Sequence, residues 1–128
     1  MGPTPVVTVG PTTTPPVGAA ATSAVQLVDV ATAMALAADP SVIVVDVRTP
    51  AEFAEGHISR AVLADIEDPG FGDRIAQLDR STTYLVYCHS GNRSGQATAV
   101  MAALGFTSVA NLDGGISAWV ATGAPVVT

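Results

Sequence analysis

Val42-Ile43-Val44-Val45 is an unbroken run of β-branched side chains, which predicts a strand covered on both faces rather than a half-exposed one. Thr83-Tyr84-Leu85-Val86-Tyr87 is a second run of that kind. Between them, Thr49-Pro50-Ala51-Glu52 combines a capping box with proline at the first helical position, so a short helix is predicted to start there, with Gly56 suited to its C-terminal stop. Farther on, Ala97, Val100, Met101 and Leu104 recur at i, i+3, i+4 and i+7, one apolar face of a helix that Gly105 ends. Ser108 to Leu112 predicts a short strand, and Ile116 to Ala121 a last helix stopped by Gly123. Strands and helices that alternate in this way predict an α/β domain, a parallel sheet with helices on both sides. Such sheets bind ligands outside the carboxyl ends of their strands.

The pattern begins only at Val25. Residues 1 to 24 carry five prolines, six threonines and three glycines, and the first charged residue of the chain is Asp29. Proline lacks the N–H and restricts the residue before it, so neither a helix nor a ladder propagates through such a stretch. The chain therefore divides into a Pro/Thr-rich tail or tether, 1–24, and a domain, 25–128. Tails of this composition serve as spacers between a membrane anchor and an exported domain, and the reading leans slightly toward export. Met1-Gly2 as a cloning remnant is the alternative.

A length of 128 residues suits one domain with a proper core, and a net charge of −6 argues against nucleic acid, which needs a basic stripe. There is no lysine; the cations are Arg48, Arg60, Arg74, Arg80 and Arg93. An anionic substrate would thus be attracted only by a local positive pocket. The longest apolar stretch, Val30 to Ala38, is too short to span a membrane, and no stretch has the basic start and apolar run of a signal peptide. Cys88 is the single cysteine, which excludes an internal disulfide and a multi-cysteine metal site; two histidines and one cysteine share no ligand spacing.

A lone cysteine is by default a small buried hydrophobe. Cys88, however, opens Cys88-His89-Ser90-Gly91-Asn92-Arg93-Ser94, between a predicted strand and a predicted helix. The amides that start a helix have no partner inside it, and they favour a thiolate together with the helix dipole and a nearby guanidinium. Gly91 permits φ > 0, so consecutive N–H groups can converge on one point, and Ser94 is expected to cap the helix. The cradle is small. It suits one extra sulfur atom better than a tetrahedral phosphate.

Four blocks in order now carry a family resemblance: Asp46-Val47-Arg48, then Glu52-Phe53 with Gly56-His57-Ile58, then Cys88 to Ser94, then Asn111-Leu112-Asp113-Gly114-Gly115-Ile116-Ser117-Ala118-Trp119. Together they resemble a single-domain rhodanese over Val25 to Val127. The resemblance implies a five-stranded parallel sheet flanked by helices, and sulfurtransferase chemistry through a persulfide on Cys88, with no cofactor. It implies that His89, Ser90, Gly91, Asn92, Arg93 and Ser94 form the substrate loop. It also implies a small anionic sulfur donor such as thiosulfate, a thiol or cyanide as acceptor, or a protein partner that accepts sulfur in a relay. Phosphatases and arsenate reductases of related fold have five residues between cysteine and arginine and a histidine before the cysteine. Here the spacer is four and Tyr87 precedes Cys88, so both differences favour sulfur.

Arg93 is expected either to meet the donor or to brace the loop through Asp46 or Glu52. Asp46 and Arg48 are expected to bond each other or the loop. His57 is expected to be structural, as is Trp119, packed in the core. Ser59 and Arg60 depart from the family's Pro-Gly after the Gly-His-Ile block; Arg60 is expected to alter the backbone beside the site or to add a charge at its rim.

Overall fold

The β-branched and aromatic runs form the centre of a parallel sheet, seen in a computed structural model that describes residues 24–128. The expected tail, Ala24 excepted, lies outside the described residues. The order is β1 (Val25–Val28), α1 (Val30–Ala38), β2 (Val42–Asp46), α2 (Pro50–Glu55), β3 (Val62–Leu63), α3 (Phe71–Ala76), β4 (Thr83–Tyr87), α4 (Asn92–Ala103), β5 (Val109–Leu112) and α5 (Gly115–Ala121). The five strands lie side by side as β1-β5-β4-β2-β3, every pair parallel. The chain leaves β2 toward one edge of the sheet and β4 toward the other. The crevice at their carboxyl ends is therefore the switch point at which such sheets place ligands.

Strand alternation divides the core in two. Val45, Tyr84, Val86 and Cys88 point toward Phe71 and Ile75 of α3 and Ala97 and Met101 of α4. Val42, Val44, Leu85 and Tyr87 point the other way, toward Ala33 of α1 and Ile116 and Trp119 of α5. Helices thus cover both faces, and each large side chain so buried contributes about 1.5–3 kcal/mol.

Two expectations shift in detail. The buried stripe of α4 is Ser94, Ala97, Thr98 and Met101, while Val100 is exposed. The stripe is rotated because Ser94 sits behind the sulfur, and Thr98 tolerates burial by donating its hydroxyl to the carbonyls of Ser94 (2.9 Å) and Gly95 (3.1 Å). Ser94 is also not the cap: α4 starts two residues earlier, with Gly91 at the N-cap and no side-chain cap bond. By contrast, Thr49 and Glu52 make the complete capping box, with Pro50 opening α2.

Met101 is fully buried between α4 and the sheet. Met101→Ala is expected to lower unfolding stability by about 2–5 kcal/mol, read as a lower urea midpoint with an unchanged denaturant slope.

Candidate active site

Cys88 follows directly on β4, so its position is set by the central strand pairing β2·β4·β5. Its side chain is 1% exposed. The Gly91 N–H donates to Sγ at 3.0 Å, and the Ser94 hydroxyl lies 3.5 Å from it. Gly91 adopts φ 115°, a conformation closed to most side chains, and this turn aims its amide at the sulfur. Burial alone would push the thiol up. The hydrogen bond with the Ser94 hydroxyl and those from the amides of Ser94, Gly91 and Ser90 outweigh it, and Cys88 is held below the ordinary thiol value.

The loop keeps this shape because α5 holds its back. The amides of Ile116 and Ser117 donate to the carbonyls of Cys88 (2.9 Å) and His89 (3.0 Å). Such an approach requires bare backbone at Gly115, with φ 60°: a Cβ there would stand 2.5 Å from both carbonyl oxygens.

Arg93 braces the loop from the other side. Its guanidinium grips Glu52 with two parallel bonds, Nη1 to Oε1 at 2.7 Å and Nη2 to Oε2 at 2.9 Å, and lies 3.6 Å from Glu67. The same Glu52 oxygen accepts from the Thr49 N–H and hydroxyl, so the capping box of α2 pre-aims the carboxylate at Arg93. The Arg93 hydrogen bonds hold Glu52 down at about 2. Beneath, Asp46 and Arg48 form a buried pair, Arg48 Nη2 to Asp46 Oδ2 at 2.7 Å, with the same Nη2 donating to the Gly56 carbonyl.

The remaining sequence-derived candidates divide. His89, Ser90 and Asn92 are exposed on the outside of the loop. His89 lines a groove of about 330 Å³ with Gly56, Ser117, Val120 and Val126. His57 stacks on Phe53 and bonds its carbonyl, and Trp119 lies in the core. Arg60 is not at the rim. It takes φ 69°, the left-handed conformation a glycine adopts at no cost, and its guanidinium donates to the Ala37 carbonyl in the last turn of α1, at the opposite end of the sheet. There it complements the helix dipole. Asn111, quoted above only as part of a block, proves to touch the site: its Oδ1 lies 2.7 Å from Ser94 Oγ. Only its burial on β5 marks it out, which sequence spacing does not reveal. Among the described residues, no group of three His, Cys, Asp or Glu could hold a metal, and no helix is long and apolar enough to cross a membrane.

A family model for the rhodanese-like domain matches residues 25–122. The chain belongs to the rhodanese-like domain family. This rhodanese-like domain is 39% identical over 92 residues to a sulfurtransferase of Allochromatium vinosum, covering 72% of this chain and 84% of that one. It is 41% identical over 90 residues to the thiosulfate sulfurtransferase GlpE of Pseudomonas entomophila, covering 70% and 80%. Among solved structures, a rhodanese-related protein from Thermoplasma volcanium aligns with a TM-score of 0.71 at 29% identity, covering 80% of this chain and 97% of that chain.

Two outcomes follow for the rhodanese-like loop. Gly115→Ala forces a Cβ into two carbonyls at a left-handed φ; a stability loss of about 3 kcal/mol or more is expected, with slowed alkylation of Cys88 by iodoacetamide. A stable variant of normal thiol reactivity would show that α5 does not set the loop. Glu52 has a folded-state value of about 2 against 4.5 ordinarily, so the depressed group contributes stability above about pH 4.5, lost as pH falls toward 2. The stability gap between the native protein and Glu52→Gln, measured by urea unfolding, should be full at pH 6 and shrink steadily below 4.5.

Proposed function

We propose that this domain is a sulfurtransferase that carries sulfane sulfur as a persulfide on Cys88. The observation that carries the reading is a buried sulfur that accepts the Gly91 N–H and contacts the Ser94 hydroxyl, interactions that lower its thiol against burial. Relatives named as sulfurtransferases at about 40% identity support it.

The cycle is a double displacement. Cys88 thiolate attacks the outer sulfur of thiosulfate; the Cys88 S–S bond forms, the bond from that sulfur to the sulfonate breaks, and sulfite leaves with its electron pair. A cyanide or thiolate acceptor then attacks the terminal sulfur, and thiocyanate or a new persulfide leaves as Cys88 thiolate is restored. No general base is needed, because the thiolate already predominates over a wider pH range than in a free thiol. The loop from His89 to Ser94 supplies amides to the sulfur, and Arg93, engaged by Glu52, holds the loop rather than the donor.

A relay to a protein acceptor is the second reading. Val120 and Val126 are exposed on the groove beside His89, an apolar surface that a partner's cysteine-bearing segment could cover. Rapid turnover of thiosulfate with cyanide favours the free enzyme; persulfidation without appreciable turnover favours the relay.

Intact mass after thiosulfate treatment is expected to rise by one sulfur atom, to return to its starting value with cyanide, and to stay unchanged in Cys88→Ser. Sulfane-sulfur transfer that persists in Cys88→Ser overturns the assignment.

A further inference from the structure

Ser94 is fully buried and has one hydroxyl proton, yet three acceptors surround its Oγ: Asn111 Oδ1 at 2.7 Å, the Gly91 carbonyl at 3.2 Å and Cys88 Sγ at 3.5 Å. With the proton on the short bond to Asn111, Ser94 gives nothing to the sulfur. The chain of donors then runs from Cys88 S–H to Ser94 Oγ, and from Ser94 O–H to Asn111 Oδ1. That order suits a protonated thiol. A thiolate has no proton to give and needs one.

A carboxamide has nearly the same shape either way round, with an acceptor at one end and two donors at the other. Turned by half a revolution, Asn111 would present Nδ2 to Ser94 Oγ, and the hydroxyl proton would be free to swing onto Sγ. Among the described residues nothing else hydrogen-bonds this carboxamide, so no second partner fixes which end faces Ser94. Its backbone, meanwhile, is held in β5 between β1 and β4, registered against Leu27 and Val86.

We propose that Asn111 is a positioning residue for the nucleophile, whose carboxamide reverses to set the direction of the Asn111–Ser94–Cys88 hydrogen-bond chain, acceptor toward Ser94 for the thiol and donor toward Ser94 for the thiolate. No atom is gained or lost in the reversal beyond the thiol proton, which leaves to solvent. The proposal rests on Cys88 as the reacting thiol, but its test reads ionisation and not sulfur transfer, so the two fail separately. The charged groups on the surrounding elements are Arg93 of α4, engaged by Glu52 of α2 and by Glu67; the Asp46–Arg48 pair at the end of β2; His89 in the loop; and Asp113 after β5. All stay in place in the variants below.

The measurement is the pH midpoint of Cys88 alkylation by iodoacetamide. Asn111→Asp keeps the shape but offers Ser94 only an acceptor, and the midpoint should rise by about one unit or more. Asn111→Ala leaves the Ser94 proton to the Gly91 carbonyl and the sulfur, free to turn to a thiolate, and the midpoint should not rise. In a Ser94→Ala background the Asn111→Asp shift should fall to less than half, since only its charge still acts. Equal shifts for Asp and Ala, or an undiminished shift without Ser94, overturn the proposal. The unaltered protein gives a reading that no folding defect can spoil: in nitrogen-15 spectra, an Asn111 side-chain amide proton should move downfield through the same midpoint. A signal that stays fixed across the thiol titration also overturns it.

Discussion

The N-terminus of α5 draws the carbonyls of Cys88 and His89 onto its own amides, and this decides which way the Cys88 loop faces. A peptide unit whose carbonyl is held on one side presents its N–H on the other. With two carbonyls turned toward α5, the amides that follow are available to the sulfur, and the Gly91 turn brings one to 3.0 Å. The cradle is therefore made by main chain, and side chains matter mainly by what they permit. Gly115 permits the helix to come close enough, and Gly91 permits the turn. Neither contributes a functional group.

The charges around the loop are spent on structure. Arg93 is engaged by Glu52 and lies near Glu67, and Arg48 is paired with Asp46. An anionic donor would consequently be held by amides and the positive end of α4, not by a free guanidinium from either residue. A chain of net charge −6 nonetheless lowers its thiol. The effect is short-ranged and comes from hydrogen bonds at contact distance, which distant carboxylates across water barely oppose.

Much of this was legible in the residues. The runs at Val42 and Thr83 announced inner strands of the sheet, because burial on both faces favours apolar residues at every position, although Ile43 proves exposed. The capping box at Thr49 announced α2, and its Glu52 was also named as a possible brace for Arg93; that one carboxylate could do both is a matter of three dimensions. Other features left no trace. The two residues of β3 are too few to make a pattern, and α1 is an alanine-rich stretch without strong periodicity. Val100 fitted the apolar spacing of α4 but lost its place to Thr98, because the site fixes the helix rotation through Ser94. Arg60 was read as a neighbour of the site; its long side chain instead follows the outside of the fold to the last turn of α1. Asn111 was hidden because a buried polar residue in a strand signals nothing until its partner is known.

A persulfide on Cys88 would place its outer sulfur about 2 Å beyond Sγ. Cys88 is 1% exposed and its sulfur sits against Gly91 and Ser94, so the inner sulfur would keep the Gly91 N–H while the outer atom met the acceptor. This separates two tasks that a free thiol must combine. In the proposed persulfide the buried atom would be stabilised as a leaving group, while the outer atom would be the electrophile. The chain holds no second cysteine to intercept it. In the proposed cycle the sulfur would leave to a molecule that enters from outside, and the groove beside His89 is the surface proposed to receive it.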